Sequence, residues 1–356
     1  MYIVSGARTP FCLLDTHLHL LKTHNLGATA IRALMGMVSG VEHMAVQKTY
    51  VGLSRDLGGS VDKMMQHSGL DGRVATHVHG RGAGLMALYR MIKAPRPSGV
   101  GFVVGIEGGL GGELPVFGDG YSIAVDDERY HLLGADLEAL QEYTGFDVDH
   151  KSWNMWWERS QDCGKQAEKS DVLLHEIAPI SLSVEGETKH IARDDCLVVK
   201  PRYSEVNGAL DMRYMAPICD GATALCVSHH ELPHTLARVE EVLYVEPHEC
   251  GCLHAAVACI RGLLDKCDLD AKDIQIVEID ESIIWTPAVC ARETGIDLMC
   301  VNRWGGTCAL GDAGAASDLR MILAAAHGMT LLDQQWSLVL CPVSGGGAVG
   351  ILLGKV

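Results

Sequence analysis

The sequence predicts an α/β protein in which one structural unit occurs twice, built on a parallel sheet covered on both faces. Two observations carry this. First, short apolar runs are followed by a glycine turn and then by a helical pattern: Val74–Val78, the turn His79-Gly80-Arg81-Gly82, a helix to Lys93, and a buried strand across Gly101–Gly109. Second, the same succession returns in the second half, where Ile274–Ile279, the glycine loop from Asn302 to Gly314 and a helix from Ala315 to Gly328 follow one another. The 40 glycines and 48% hydrophobic content suit a tightly packed protein with many sharp turns.

Taken in order, Tyr2–Val4 reads as a short buried strand and Leu26–Met37 as a helix with one apolar face. Val51–Gly59 reads as a glycine-punctuated loop, followed by a helix over Val61–Ser68. Pro95-Arg96-Pro97 closes the unit that contains the His79 turn. From about Gly111 to Pro217 the chain is more polar and holds Trp153, Trp156 and Trp157, with helical spacing from His150 to Lys169. Beyond it, Ala222–Ser228 and Leu236–Val245 read as strand regions, His254–Leu264 as a helix and Met299–Asn302 as a short strand. Trp336–Cys341 and Val349–Leu353 are apolar strands joined through Gly345-Gly346-Gly347. The division is 1–110 for the first part of an N-terminal lobe, 111–217 for an insertion that returns to it, and 218–356 for a C-terminal lobe.

A chain of 356 residues can bury a large core. Its net charge of −16 argues against nucleic acid or an anionic membrane as a partner. It leaves room for a phosphorylated coenzyme, which needs only a local group of cations; Lys151, Arg159, Lys165, Lys200, Arg202 and Arg213 are available for that. Thirteen cysteines without a secretory leader pattern read as free thiols in a reducing, cytoplasmic setting. There is no C-x-x-C pair, and the Cys250/Cys252 spacing suits no zinc knuckle, so no metal site is expected. No apolar run is long enough to span a bilayer.

Several motifs, in order along nearly the whole chain, resemble thiolases. Tyr2-Ile3-Val4-Ser5-Gly6-Ala7-Arg8-Thr9-Pro10-Phe11 is similar to their opening V-I-V-S-A-A-R-T-P-F, and Leu26-Gly27-Ala28-Thr29-Ala30-Ile31 to their first-helix motif. His79-Gly80-Arg81-Gly82 falls where thiolases carry C-G-S-G, and Glu176-Ile177-Ala178-Pro179-Ile180 resembles their E-I-x-P-I. Cys219-Asp220-Gly221-Ala222-Thr223-Ala224-Leu225 resembles N-D-G-A-A-A-L, more closely in its sterol-carrier-protein-type form. Asn302 to Ala315 matches N-x-x-G-G-x-x-x-x-G-H-P-x-G-A in spacing, and Gly345-Gly346-Gly347 matches the terminal glycine run. The resemblance implies a duplicated five-layer α-β-α-β-α fold with a cap insertion, a coenzyme A thioester as substrate, no permanently bound cofactor, and a homodimer or homotetramer.

Against that pattern, the position of the acyl-accepting cysteine is His79, and that of the activating histidine is Asp312. The N-E-A-F stretch reads Asp280-Glu281-Ser282-Ile283, keeping only the glutamate. The second cysteine aligns with Val343, with Cys341 two residues earlier and Cys308 as a further nearby thiol. The resemblance carries coenzyme contacts onto Gly80, Gly82, Gly311, Gly346 and Ala216, the last replacing a serine. Thioester exchange needs a thiolate. Loss of the nucleophile, the activating histidine and the second cysteine therefore argues against cysteine-dependent thiolysis or Claisen condensation.

A neutral histidine at a helix N-terminus, where the dipole disfavours imidazolium, suits a general base. His79, Glu281 and Asp312, with Cys341, are thus the candidate catalytic residues. Two functional classes stay open. One is an enzyme on a coenzyme A or acyl-carrier thioester with altered acid/base chemistry. The other is a non-catalytic thiolase-like subunit that binds a partner enzyme or holds its thioester.

Overall fold

The computed structural model describes residues 1–13, 16, 18–38, 46–54, 59–70, 75–95, 99–108, 145–146, 150–184, 186–195, 216–247 and 251–356. The strands are β1 (Tyr2–Arg8), β2 (Cys12–Leu13), β3 (Val46–Leu53), β4 (Ala75–His79), β5 (Val100–Glu107), β6 (Ile180–Val184), β7 (Glu187–Ile191), β8 (Cys219–Ser228), β9 (Ala237–Val245), β10 (Ile276–Ile279), β11 (Trp336–Val343) and β12 (Gly347–Gly354). The helices are α1 (Thr23–Met37), α2 (Ser60–His67), α3 (Ala83–Lys93), α4 (His150–Lys169), α5 (Cys252–Cys267), α6 (Thr286–Thr294), α7 (Thr307–Leu310) and α8 (Ala315–Leu331).

One sheet runs in the order β10-β11-β12-β9-β1-β8-β5-β3-β4, and β6 and β7 form a separate hairpin. The expected parallel sheet is mixed. β3 pairs in parallel with β4 and β5, and β10 with β11, while β8 runs antiparallel to β1 and β5, and β12 to β9 and β11. The glycine connection at Gly345–Gly347 is short, so β11 and β12 can only form an antiparallel pair. β8 belongs by pairing to the first half of the sheet, although the sequence reading starts the second lobe at residue 218. β3 extends through Val51–Leu53, where the glycine-punctuated sequence predicts a loop: these residues are buried and hydrogen-bond in register with β4 and β5. Leu298–Cys300 is a 3-10 turn rather than a strand, with only a bridge from Val301 to Val277.

Packing gives five layers. α1 and α2 cover the outer face of the first half of the sheet, where Leu26, Ile31, Leu34, Met64 and Ile106 form one apolar cluster. α5 and α6 cover the outer face of the second half around Ile260, Leu263, Ile284 and Trp285. Between the two halves lie α3 and α8, which touch strands of both. Leu85, Leu88, Leu319, Ile322 and Met329 pack there against Val103, Leu225, Val339 and Ile351. The two central helices meet at very short range: a Cβ on Gly84 would lie 2.1 Å from the carbonyl oxygen of Ala315, so only glycine fits. Burying helices on both faces accounts for the near-continuous apolar strands β5, β8, β11 and β12, which are buried at almost every position.

Candidate functional site

The C-terminal ends of β4, β10 and β11 converge on the first turn of α3. β4 ends at His79, opposite Leu53 of β3. The imidazole of His79 is exposed; it makes one ring contact, with His77 at 6.1 Å, and no hydrogen bond to Glu281 or Asp312. The chain then turns through Gly80 at φ +104° and Gly82 at φ +74°. Both glycines lie against β11 and the turn after it: a Cβ on Gly80 would meet Ser344 Oγ at 2.7 Å, and one on Gly82 would meet Val343 Cγ1 at 2.5 Å. The Gly80–Gly82 turn is therefore filled by protein.

The side chain that enters the site from this turn is Arg81. Its Nη2 donates to Asp280 Oδ2 at 2.8 Å, and the two side chains are only 8% and 6% exposed. The backbone of Arg81 is locked to the glycine run, its N–H donating to Ser344 Oγ at 2.7 Å and its carbonyl accepting from Ser344 N–H at 3.1 Å. Burial pulls the guanidinium pKa down, but Asp280, then the thiols of Cys252 and Cys341, raise it well above its usual value. Nε and Nη1 of Arg81 are buried and have no hydrogen-bond partner. Asp280, delivered by β10, also accepts from Ser282 N–H at 3.0 Å and Ser282 Oγ at 2.7 Å.

Beneath this pair, Asp318 of α8 joins three elements. Its Oδ2 accepts from the Gly84 N–H at 2.9 Å, which satisfies one of the open donors at the start of α3. Its Oδ1 accepts from Cys341 Sγ at 3.2 Å. Burial, then Asp280, raises the Asp318 carboxyl to about 7. Cys341 is fully buried, and its thiol is pushed well up, by burial first and then by Asp318.

Glu281 points elsewhere. Its Oε2 accepts from Trp156 Nε1 at 2.7 Å and Asn302 Nδ2 at 3.1 Å, and its Oε1 from Ser160 Oγ at 2.5 Å and Cys308 N–H at 3.1 Å. Burial raises its pKa against those four hydrogen bonds. The carboxylate fastens α4 to α7, helped by Gln161 Nε2 donating to the Cys308 carbonyl at 2.6 Å. Helix α4 is thus a wall of the candidate site. Cys308 is 1% exposed, donates to the Glu281 carbonyl at 3.3 Å, and has its thiol pushed well up by burial.

Asp312 is 7% exposed and accepts the Gly314 N–H at 2.9 Å, while its backbone bridges to Ile218. Gly311 ends α7 at φ +87° and Gly346 turns between β11 and β12 at φ +93°. Ala216 is 4% exposed within the second-half core, its N–H on the Ser282 carbonyl at 3.4 Å. Of the cations proposed for a coenzyme, Arg159 lies over the Trp156 ring and Lys165 pairs with Asp162 at the surface. Lys200, Arg202, Arg213 and the side chain of Lys151 lie outside the described residues.

His79, Glu281 and Asp312 therefore form no hydrogen-bonded set. The residues the structure brings together are Arg81, Asp280, Asp318 and Cys341, of which the sequence reading singled out only Cys341. A signal for Arg81 was present. Gly82 and Gly84 have the same spacing as the two glycines of C-G-S-G, and the tight contact at Gly84 makes that glycine indispensable. Shifted by two residues, the resemblance puts Arg81, not His79, at the cysteine position.

This architecture defines the class: a duplicated, five-layer α/β protein whose candidate site lies at the start of a buried central helix. The family model "Thiolase, C-terminal domain" matches residues 234–355. A 3-oxoadipyl-CoA/3-oxo-5,6-dehydrosuberyl-CoA thiolase of Escherichia coli is 25% identical over 217 residues, 56% of this chain and 54% of that protein. This match and others like it span about half the length of the relatives concerned. A β-ketoadipyl-CoA thiolase of Pseudomonas aeruginosa is 23% identical over 371 residues, 92% of each chain. The crystal structure of human mitochondrial 3-ketoacyl-CoA thiolase superposes with a TM-score of 0.80 at 16% identity, covering 100% of this chain and 98% of that one. Residues 234–355 thus match a thiolase C-terminal domain, and the chain as a whole has the thiolase fold.

Proposed function

We propose that this protein acts in acyl-CoA metabolism, receives a coenzyme A thioester at the start of α3, and does not perform cysteine-dependent thiolysis or Claisen condensation. The observation that carries the reading is the Arg81–Asp280 pair, which occupies the turn where a thiolate would have to stand. A nucleophilic thiol needs a lowered pKa and access; Cys341 and Cys308 are buried with their thiols pushed up. Arg81 Nε and Nη1, buried without partners, suit a carbonyl or carboxylate oxygen of an acyl group, and such donors act strongly where water is excluded. The buried Asp318 carboxyl, near 7, is a group that can hold a proton beside them.

A second reading, a non-catalytic thiolase-like subunit, is favoured by the Glu281 carboxylate, whose oxygens are committed to four internal donors. Under either reading a second copy of this chain is the expected partner. The outer edge of β4 pairs with no strand among the described residues and exposes Thr76, His77 and His79, and such an edge is a template for strand pairing.

The test incubates purified protein with 3-ketoacyl, 3-hydroxyacyl and simple acyl-CoA thioesters, with chromatography of the products and intact-mass analysis of the protein. Saturable thioester binding that is lost in Arg81→Met, with no acyl adduct on the chain, supports the proposal. An acyl adduct on a cysteine, abolished in Cys341→Ala or Cys308→Ala, refutes it. Turnover that needs Arg81 makes the protein an enzyme; binding without turnover favours the subunit reading.

A further inference from the structure

We propose that His175, Glu176 and His327 form a binding site for a divalent transition-metal ion, with Zn²⁺ as the ion of choice. The three residues come from two elements: His175 and Glu176 from the 3-10 turn Leu174–Glu176 that follows α4, and His327 from α8. Their ligating atoms all lie within 4.8 Å of one another, and the two imidazole rings meet edge to face at 4.0 Å. Zinc bound about 2.0–2.2 Å from each ligand needs donors about 3–4 Å apart. The exposed side chain of His175 can close that difference by rotation.

The charge balance around Glu176 points to a cation independently. Glu176 is 1% exposed, and its Oε1 accepts from Arg8 Nε at 2.6 Å. Arg8 is already matched by Asp194, which accepts from both Nη1 and Nη2 at 2.7 and 2.9 Å. One arginine is thus shared between two carboxylates. Glu176 Oε2 is buried and has no hydrogen-bond partner. A buried, under-satisfied carboxylate oxygen is costly, and a bound cation removes the cost. Two imidazole donors beside one carboxylate select a transition metal over magnesium or calcium, which take oxygen ligands.

The site has an entry path. It lies on an open groove of about 490 Å³, walled by Leu173, Trp304 and Leu331, which leaves room for water or a further ligand on the ion. A bound ion would fasten the turn after α4 to α8, the helix that also carries Asp318. The sequence showed no spacing motif because His175 and His327 are far apart along the chain. The inference does not depend on the proposed thioester chemistry.

The test uses the full chain dialysed against EDTA, with ZnCl₂ titrated calorimetrically and the thermal unfolding midpoint followed with and without the ion. One zinc per chain at this site is expected, with a raised midpoint. His175→Ala and His327→Ala should each weaken that binding at least tenfold and abolish the rise. His327→Cys should retain it, and the control His190→Ala, an exposed histidine bonded to Ser181, should behave as wild type. Should His327→Ala fail to fold, His175→Ala, at an exposed position, decides. Absence of zinc binding, zinc binding undiminished in both alanine variants, or equal binding of MgCl₂ would each overturn the assignment.

Discussion

Replacing Arg81 by methionine tests the centre of the site directly. The change keeps much of the apolar stem and removes the guanidinium that donates to Asp280 at 2.8 Å, where both side chains are less than a tenth exposed. Asp280 would keep only its two bonds from Ser282. Breaking a buried pair from one side costs about 3–5 kcal/mol, because the remaining charge loses its partner. Arg81→Met should lower stability by about that amount, and the double variant Arg81→Met/Asp280→Asn by clearly less than the sum of the singles, with a coupling of about 2 kcal/mol. Arg81→Lys should fall between wild type and methionine, since an ammonium can replace the charge but not the geometry of the fork. His79→Ala, two residues earlier and exposed, should stay within about 0.5 kcal/mol of wild type. Urea unfolding followed by tryptophan fluorescence and circular dichroism measures all five variants. A loss below about 1 kcal/mol for Arg81→Met together with an additive cycle would show that the pair is not a buried interaction, and the reading of the site would fall with it.

Three further expectations follow from the packing and electrostatics. Gly84→Ala drives a methyl group onto the Ala315 carbonyl and should separate α3 from α8, lowering the melting temperature sharply; Gly36→Ala, with open space around it in α1, should stabilise by about 0.5–1 kcal/mol. Glu278 is fully buried, and burial raises its carboxyl from 4.5 to about 8 even with Arg320 opposing. The unfolded chain therefore releases this proton first, so the group's contribution to stability is full below about pH 4.5 and is lost as pH rises to about 8. Glu278→Gln should flatten this slope by at most about 5 kcal/mol in a pH series of urea titrations, and an unchanged slope would contradict the burial argument. Iodoacetamide applied to the native protein should modify the half-buried Cys163 and Cys267 before Cys308 or Cys341, as read by peptide mass spectrometry; early labelling of Cys341 would mean that its thiol is accessible.

The sequence alone determined the resemblance to thiolases, the duplicated α/β plan and most elements, because these rest on local patterns. Helical spacing located α4 over His150–Lys169 to the residue, and apolar runs marked β5, β11 and β12. That no cysteine stands in the Gly80–Gly82 turn was also legible. Strand direction was less so: β8 lies between β1 and β5 because of pairing partners far away in the chain, which no local pattern encodes. The composition of the site was decided by tertiary structure. His79 and Arg81 are two residues apart on one turn, and only the packing of Val343 and Ser344 against Gly80 and Gly82 sends the arginine inward and leaves the histidine in solvent. Glu281 resembled a catalytic carboxylate in sequence, yet α4 folds over it and fills both its oxygens, and Asp318, unremarked in the sequence, becomes the carboxyl that joins Gly84 to Cys341. A side chain's chemistry is fixed by its type, but its charge state and availability depend on what surrounds it, and those neighbours come from distant parts of the chain.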